Sequence, residues 1–429
     1  MKRKYIILLS VIAILAAAVL FFAASLFFTN LNAAASVSSV QDTAEDSRIS
    51  NEVSTQSSNE TSNESSGAEA EAANKEIEAA SSGQVEAEQS KEEIPELRFM
   101  AVGDIMLGRG VGARLNKAGG FNKAFEDVAP LLNKGDVVFA NLESPLTAST
   151  HSLDPKGKIV LKAKPEAVSA ITMAGFNLIS LANNHMMDYY EKGLYDTMSI
   201  LDENGILHAG GGSNINEARR PAIMEVNGIK VGLLAYTDMA ELTFAGKPYL
   251  SYAAKDEKSG LAPRKYELAL EDVKKLREQV DLVAVSLHWG IEDSFKITAD
   301  QVEFAHNLID NGADIILGHH PHQFQGMEIY KGKPIMYSMG NFIFDQNDPE
   351  NQEGFIIDMK YRGRELVEFS AIPVRVIEKT YVRIQTGENA SELIKRQVEL
   401  CSELGTTFDV ANDAITYVNG DNMKTASSN

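Results

Sequence analysis

Leu97-Arg98-Phe99-Met100-Ala101-Val102-Gly103-Asp104 is the stretch that decides the fold. An apolar run broken only by Arg98 ends in a glycine and an acid, the pattern of a strand buried on both faces. The same texture returns at 136–140, 177–182, 229–235, 282–287, 315–317 and 335–339. Between several of these runs lie helical patterns, at 121–132, 165–174, 191–204, 266–279 and 299–311. Strands alternating with amphipathic helices predict an α/β architecture. From 354 to about 384 the pattern turns to strands without helices. A helix is then expected over 392–404, and the last ten or so residues read as frayed.

The polar residues fall at one end of these strands. Asp104 follows the first run, Glu143 the second, and Asn183-Asn184-His185 the third. His288 ends 282–287, and His319-His320-Pro321-His322 follows 315–317. In open α/β sheets ligand sites gather beyond the carboxyl ends of the strands. Five strands that each end in a potential metal ligand therefore describe one site.

The individual residues differ in how strongly they point to chemistry. His320 and His322 bracket a proline, which fixes the backbone so that both imidazoles can converge, with His319 beside them. His288 precedes Trp289-Gly290, where the glycine leaves room for a close approach. Asn184 and His185, flanked by Asn183 and Asp188, form a cluster too polar for a buried strand end without a task. Asp104 sits among the glycines of Gly103-Asp104-Ile105-Met106-Leu107-Gly108-Arg109. Glu143 is less distinctive and would equally suit a cap or a surface acid. His151, His208 and His306 read as ordinary packed or surface histidines. Oxygen and imidazole donors without sulfur suit Mn, Fe or Zn.

Composition narrows the setting. The net charge is −20, but 15 acids against three bases between Ser36 and Glu96 carry −12 of it. The remainder is mildly acidic and shows no basic stripe, so nucleic acid is not an expected partner. One cysteine, Cys401, allows no intrachain disulfide and no Cys-rich zinc site. The tract 36–93 is Ser, Glu, Ala, Asn, Gln and Thr with almost no large apolar side chains, the composition of a disordered, self-repelling tether.

Lys2-Arg3-Lys4 precedes 24 uncharged residues, Tyr5 to Phe28. A helix of that length spans ~36 Å, enough to cross a hydrocarbon core of ~30 Å. Basic residues before it and acidic ones after it place the N-terminus in the cytoplasm and the rest outside the cell. The length favours a retained, single-pass signal anchor. Ala33-Ala34-Ala35 is an acceptable cleavage site for the alternative, a cleaved signal, which leaves the domain in the same compartment. The expected division is 1–35 cytoplasmic stub and anchor, 36–96 acidic linker, 97–385 main domain, and 386–429 C-terminal helix and tail.

Six motifs in order resemble a known family. They are Gly103 to Arg109, Asn141-Leu142-Glu143-Ser144-Pro145-Leu146-Thr147, Leu181-Ala182-Asn183-Asn184-His185, His288-Trp289-Gly290, Ile316 to His322, and Tyr337-Ser338-Met339-Gly340-Asn341-Phe342-Ile343-Phe344-Asp345-Gln346. Between about Arg98 and Gln346 the chain resembles the CapA/PgsA family of poly-γ-glutamate capsule biosynthesis proteins. That family is similar in fold to calcineurin-like metallophosphoesterases, which implies a four-layer α/β/β/α sandwich with one or two divalent metal ions at strand ends. The resemblance implies that Asp104 and His322 hold a first ion and that Glu143 bridges. Asn184, His288 and His320 would hold a second. His185 would stand as general acid, oriented by Asp188. Arg109, Asn183, His319 and Asn341 would meet a substrate phosphate or carboxylate.

Three positions depart from the phosphoesterase pattern. Met106 stands where a ligating histidine belongs, Glu143 is one methylene longer than the usual aspartate, and the His-x-His pair falls one residue late after Gly318. One metal site is therefore expected to lack a ligand. The implied role is an extracytoplasmic accessory subunit of poly-γ-glutamate synthesis or export, beside an amide ligase and a small membrane protein. A free-standing metal-dependent phosphoesterase and a non-catalytic scaffold are the competing readings.

Overall fold

A computed structural model describes residues 94–153, 159–244 and 247–419. The expected membrane anchor, the acidic tract 36–93 and residues 420–429 lie outside the described residues. Among those described, no helix is long and apolar enough to cross a membrane.

The decisive stretch forms the strand Glu96–Ile105 at the centre of a ten-stranded sheet. On one side it pairs in parallel with Val137–Leu142, which pairs with Leu178–Ser180 and then Leu207–Ala209. On the other it pairs antiparallel with Glu353–Arg362, which pairs in turn with Glu365–Ile377. A second, six-stranded sheet has a parallel centre of Ile229–Thr237, Leu282–His288, Ile315–His319 and Lys333–Met336. The fold is mixed α/β with central sheets.

Period-two alternation explains the packing. Leu97, Phe99 and Ala101 join Val231, Leu233, Ala284 and Leu317 of the other sheet in one apolar cluster. Met100 and Val102 face the opposite way, towards the helix residues Val111, Leu115, Leu194 and Leu201. On the far side of the second sheet, Val283, Val285 and Leu287 pack on the helices Tyr266–Arg277 and Ala299–Asp310. The inner parallel strands are thus covered on both faces, which is why their sequences read as continuous apolar runs.

Some elements differ from expectation. The helix expected over 121–132 is instead a 3-10 turn, Phe121–Ala124, and a short helix, Ala129–Leu132. Pro130 supplies no N–H to the preceding turn, so one continuous helix cannot pass through it. The run at 335–339 leaves the ladder after Met336, and the Tyr337 carbonyl accepts the indole N–H of Trp289 instead. The C-terminal helix begins earlier, spanning Gly387–Ser402, and packs Ala390, Leu393 and Ile394 into the cluster between the sheets. A hairpin of Asp409–Ala411 and Ala414–Val418 then extends the first sheet.

Candidate metal centre

The parallel strands of both sheets end at one place. In the first sheet Asp104 lies beside Asn141 and Asn341 in register. In the second, His288 lies between Thr237 and His319. Gly103 makes room for this convergence, because a Cβ there would come within 1.8 Å of the Gly340 carbonyl oxygen. Gly318 does the same in the other sheet, where a Cβ would lie 2.0 Å from the Tyr337 oxygen.

Asp104 joins the two sheets. Its Oδ1 accepts from Asn141 Nδ2 at 2.8 Å and from His319 Nδ1 at 2.9 Å. Its Oδ2 accepts the His320 backbone N–H at 3.3 Å and lies 3.9 Å from His322 Nδ1. Burial alone would raise the pKa of this fully enclosed carboxyl, but the His319 hydrogen bond and the nearby imidazoles outweigh it and hold the group below the ordinary range. Glu143 and His288 are equally enclosed, with 3.8 Å between Glu143 Oε1 and His288 Nε2. His288 Nε2 also lies 3.0 Å from Asn184 Oδ1.

The donor atoms of Asp104, Glu143 and His288 fall within 4.8 Å of one another. Burial, reinforced by the surrounding imidazoles, pushes His288 well below its ordinary value. Burial, with His322 next, lowers His320 to about 3. Both rings are therefore neutral, the form in which an imidazole accepts a metal ion. The ring centroids of His288 and His320 are 4.8 Å apart, and His320 Nδ1 and His319 Nε2 are buried without a hydrogen-bond partner. Buried carboxylates beside neutral imidazoles are a group that could hold a metal ion.

Local backbone geometry aims these groups. His320 and His322 have φ of 98° and 61°, in the left-handed region that costs a non-glycine residue about 1–3 kcal/mol. Pro321 fixes the link between them, and its carbonyl accepts the Asp293 N–H at 2.9 Å. Asn341 sets the His322 ring. Its Nδ2 donates to Gln346 Oε1 at 2.9 Å and to the Asn351 carbonyl at 2.8 Å, leaving Oδ1 to accept from His322 Nδ1 at 3.0 Å. The lone pair of His322 is then on Nε2.

A cavity of about 630 Å³ opens on this centre. Asn184, His185, His320, His322 and Arg109 line it, with Leu161, Met239 and Ile291 among its apolar walls. His185 Nδ1 donates to Asp188 Oδ2 at 2.7 Å, and the same oxygen accepts the Leu161 N–H at 2.6 Å. Arg109 pairs with Asp345 and has φ of 41°.

Several expected substrate contacts sit behind the centre instead. Asn183 spends its amide on Asn141 Oδ1 and the Leu142 carbonyl, and its oxygen on the His185 and Met186 N–H groups. His319 is enclosed against Asp104, and Asn341 is occupied with His322. Met106 turns into the core outside the first sheet, where its sulfur accepts the Gly108 N–H at 3.1 Å. The three histidines read as ordinary are all partnered elsewhere. His151 stacks on Tyr190, His208 meets Asp202, and His306 meets Glu328. Sequence reasoning missed Asn141, which touches Asp104 and comes within 3.4 Å of His288 Nδ1. Its signal was its place in the same motif as Glu143. The cavity wall from Met239 was also missed.

Residues 98–346 match the family described as bacterial capsule synthesis protein PGA_cap. The chain is similar to the capsule biosynthesis protein CapA of Bacillus anthracis, 34% identical over 288 residues covering 66% of this chain and 68% of that protein. It is 29% identical to the PGA biosynthesis protein CapA of Bacillus subtilis (strain 168), over 74% of this chain and 80% of the relative. A probable polyglutamine synthesis accessory protein of Mycobacterium tuberculosis is also 29% identical, over 62% and 72%.

Proposed function

Because the chain belongs to the PGA_cap family of bacterial capsule synthesis proteins, we propose that it is an accessory protein of poly-γ-glutamate capsule synthesis or export that handles the anionic polymer at a divalent metal centre. The buried Asp104, Glu143 and His288 group at the junction of two sheets is the observation that carries this reading. The layered arrangement, helices outside two facing sheets, fits the four-layer metallophosphoesterase-like fold that the family implies.

Asp104, Glu143, His288, His320 and His322 would hold the ion, with Asn184 beside them. An ion there supplies concentrated positive charge for a carboxylate or phosphate. The chain's own residues do the rest. Asn141, itself held by Asn183, fixes Asp104, Asn341 sets the His322 tautomer, and the apolar cavity wall excludes water from the bound group. We further propose that the apolar stretch Tyr5 to Phe28 anchors the protein in the membrane with its folded part outside, beside the amide ligase and small membrane subunits of the synthase.

The direct test is binding of fluorescently labelled poly-γ-glutamate to the full chain loaded with Mn, compared with the chelated protein and with His320→Ala/His322→Ala. Binding that requires the ion supports the proposal, and equal binding by all three sinks it. The His185–Asp188 pair in the cavity favours a second reading, metal-dependent ester hydrolysis with His185 Nε2 handling the leaving-group proton. Turnover of a phosphodiester by the Mn-loaded chain, abolished in His185→Ala, would establish it. Absence of turnover across a broad ester panel would remove it.

A further inference from the structure

A second cavity of about 340 Å³ adjoins the metal centre through a shared wall, Arg109. Gly108, Asn116, Lys162 and Lys164 also line it, and no carboxylate does. In a chain of net charge −20 that composition is notable. Two other cavities mix their cations with acids, Glu96, Asp136, Asp358 and Glu368 in one, Glu217 and Asp272 in the other.

The cations are held there by the fold. A Cβ on Gly108 would lie 2.1 Å from the Lys162 carbonyl oxygen, so the bare glycine lets the Lys162 segment lie directly against the Arg109 turn. Lys162 Nζ donates to the Ser149 carbonyl at 2.7 Å and sits 4.7 Å from the centre of the Tyr189 ring. Neither contact neutralises its charge. Lys164 is exposed. Arg109, with its left-handed backbone, stands at the junction of both cavities.

We propose that this cavity is a second anion subsite, which takes a carboxylate of the polymer some residues along from the one at the metal centre. The proposal rests on the anionic-polymer reading above and deepens it. A ligand with one anion would fill only the metal centre, whereas a chain of repeated carboxylates would engage both cavities at once and gain by effective concentration.

The test uses the full Mn-loaded chain and labelled γ-glutamate oligomers of one and of about ten residues. The wild type should bind the longer oligomer more tightly than the monomer. Lys162→Glu/Lys164→Glu should weaken the longer oligomer about tenfold and flatten its salt dependence, leaving the monomer and the bound Mn unchanged. Lys164→Glu alone, at an exposed position where folding is not at risk, should cost about threefold. Unchanged oligomer binding in both variants overturns the subsite while the function reading stands. A wild type that binds no oligomer at all overturns both.

Discussion

The two sheets bring opposite chemistry to the site they share. Strand ends of the first supply carboxylates and amides, namely Asp104, Asn141, Glu143, Asn183 and Asn184. Those of the second supply imidazoles, namely His288, His319, His320 and His322. The first set is pinned by a chain of amide hydrogen bonds running Asn183 to Asn141 to Asp104. The second is aimed by the left-handed backbone on either side of Pro321, and burial keeps the His288 and His320 rings neutral. The first half supplies the buried carboxylates and the second most of the imidazoles. Only the junction holds both, and Asp104 is the residue that spans it.

The largest effect should come from breaking that span. Asp104→Asn keeps the size but removes the charge facing His319 and His322. Mn affinity of the full chain should fall more than about a hundredfold, beyond the ten- to hundredfold typical of losing a supporting partner. Titration calorimetry checks this, and affinity within threefold of wild type would show that the sheets hold the ion independently.

Asn141→Ala sharpens the contrast from the acidic side, because it removes the amide that positions Asp104 without removing a ligand. Mn affinity should fall between about tenfold and a hundredfold in the same measurement.

The imidazole side has its own signature, in pH. In the unfolded chain a histidine protonates below about 6.5. Folded His320 waits until about 3 and His288 is likewise lowered. The unfolded state therefore binds more protons through that window, so metal-free stability should fall as pH drops from 6.5 towards 4. The slope should reach about 1.4 kcal/mol per pH unit for each ring that stays neutral. Asp104 adds little there, because its contribution is lost only as pH falls from the unfolded aspartate value of about 3.9 towards its lowered folded one. Urea unfolding at pH 7 and pH 5 measures this, and a flat profile would mean that the rings are not kept neutral in the folded state.

The smallest effect belongs to Met106. Its side chain lies in the core outside the first sheet, so Met106→Leu should cost under about 1.5 kcal/mol and leave bound Mn unchanged. A loss of metal in that variant would contradict the side chain's placement away from the centre.

Much of this was legible in the sequence, for a physical reason. Strands buried on both faces must be apolar throughout, so the polar residues that end them, such as Asp104 and His288, stand out. What a residue faces there was less legible. Asn183, His319 and Asn341 carry the same donors whether they meet a substrate or a neighbouring side chain, and only register decides. The left-handed backbone at His320 and His322 is invisible because neither is glycine. The helix Arg109–Lys117 was missed because Gly110 and Gly112 lower its intrinsic propensity. It forms because Val111 and Leu115 are buried and Asp345 accepts the Gly110 N–H at 2.9 Å. The hairpin ending at Val418 was missed because Asp409–Ala411 is exposed and shows no apolar alternation.

The account turns on one ion held jointly by both sheets. Its most direct test is elemental analysis of the full chain after Mn loading and desalting, for wild type, Asp104→Asn and His288→Ala. The expected result is a stoichiometric ion in the wild type and loss in each variant, one from either sheet. A wild type without metal, or metal retained after either substitution, would contradict it.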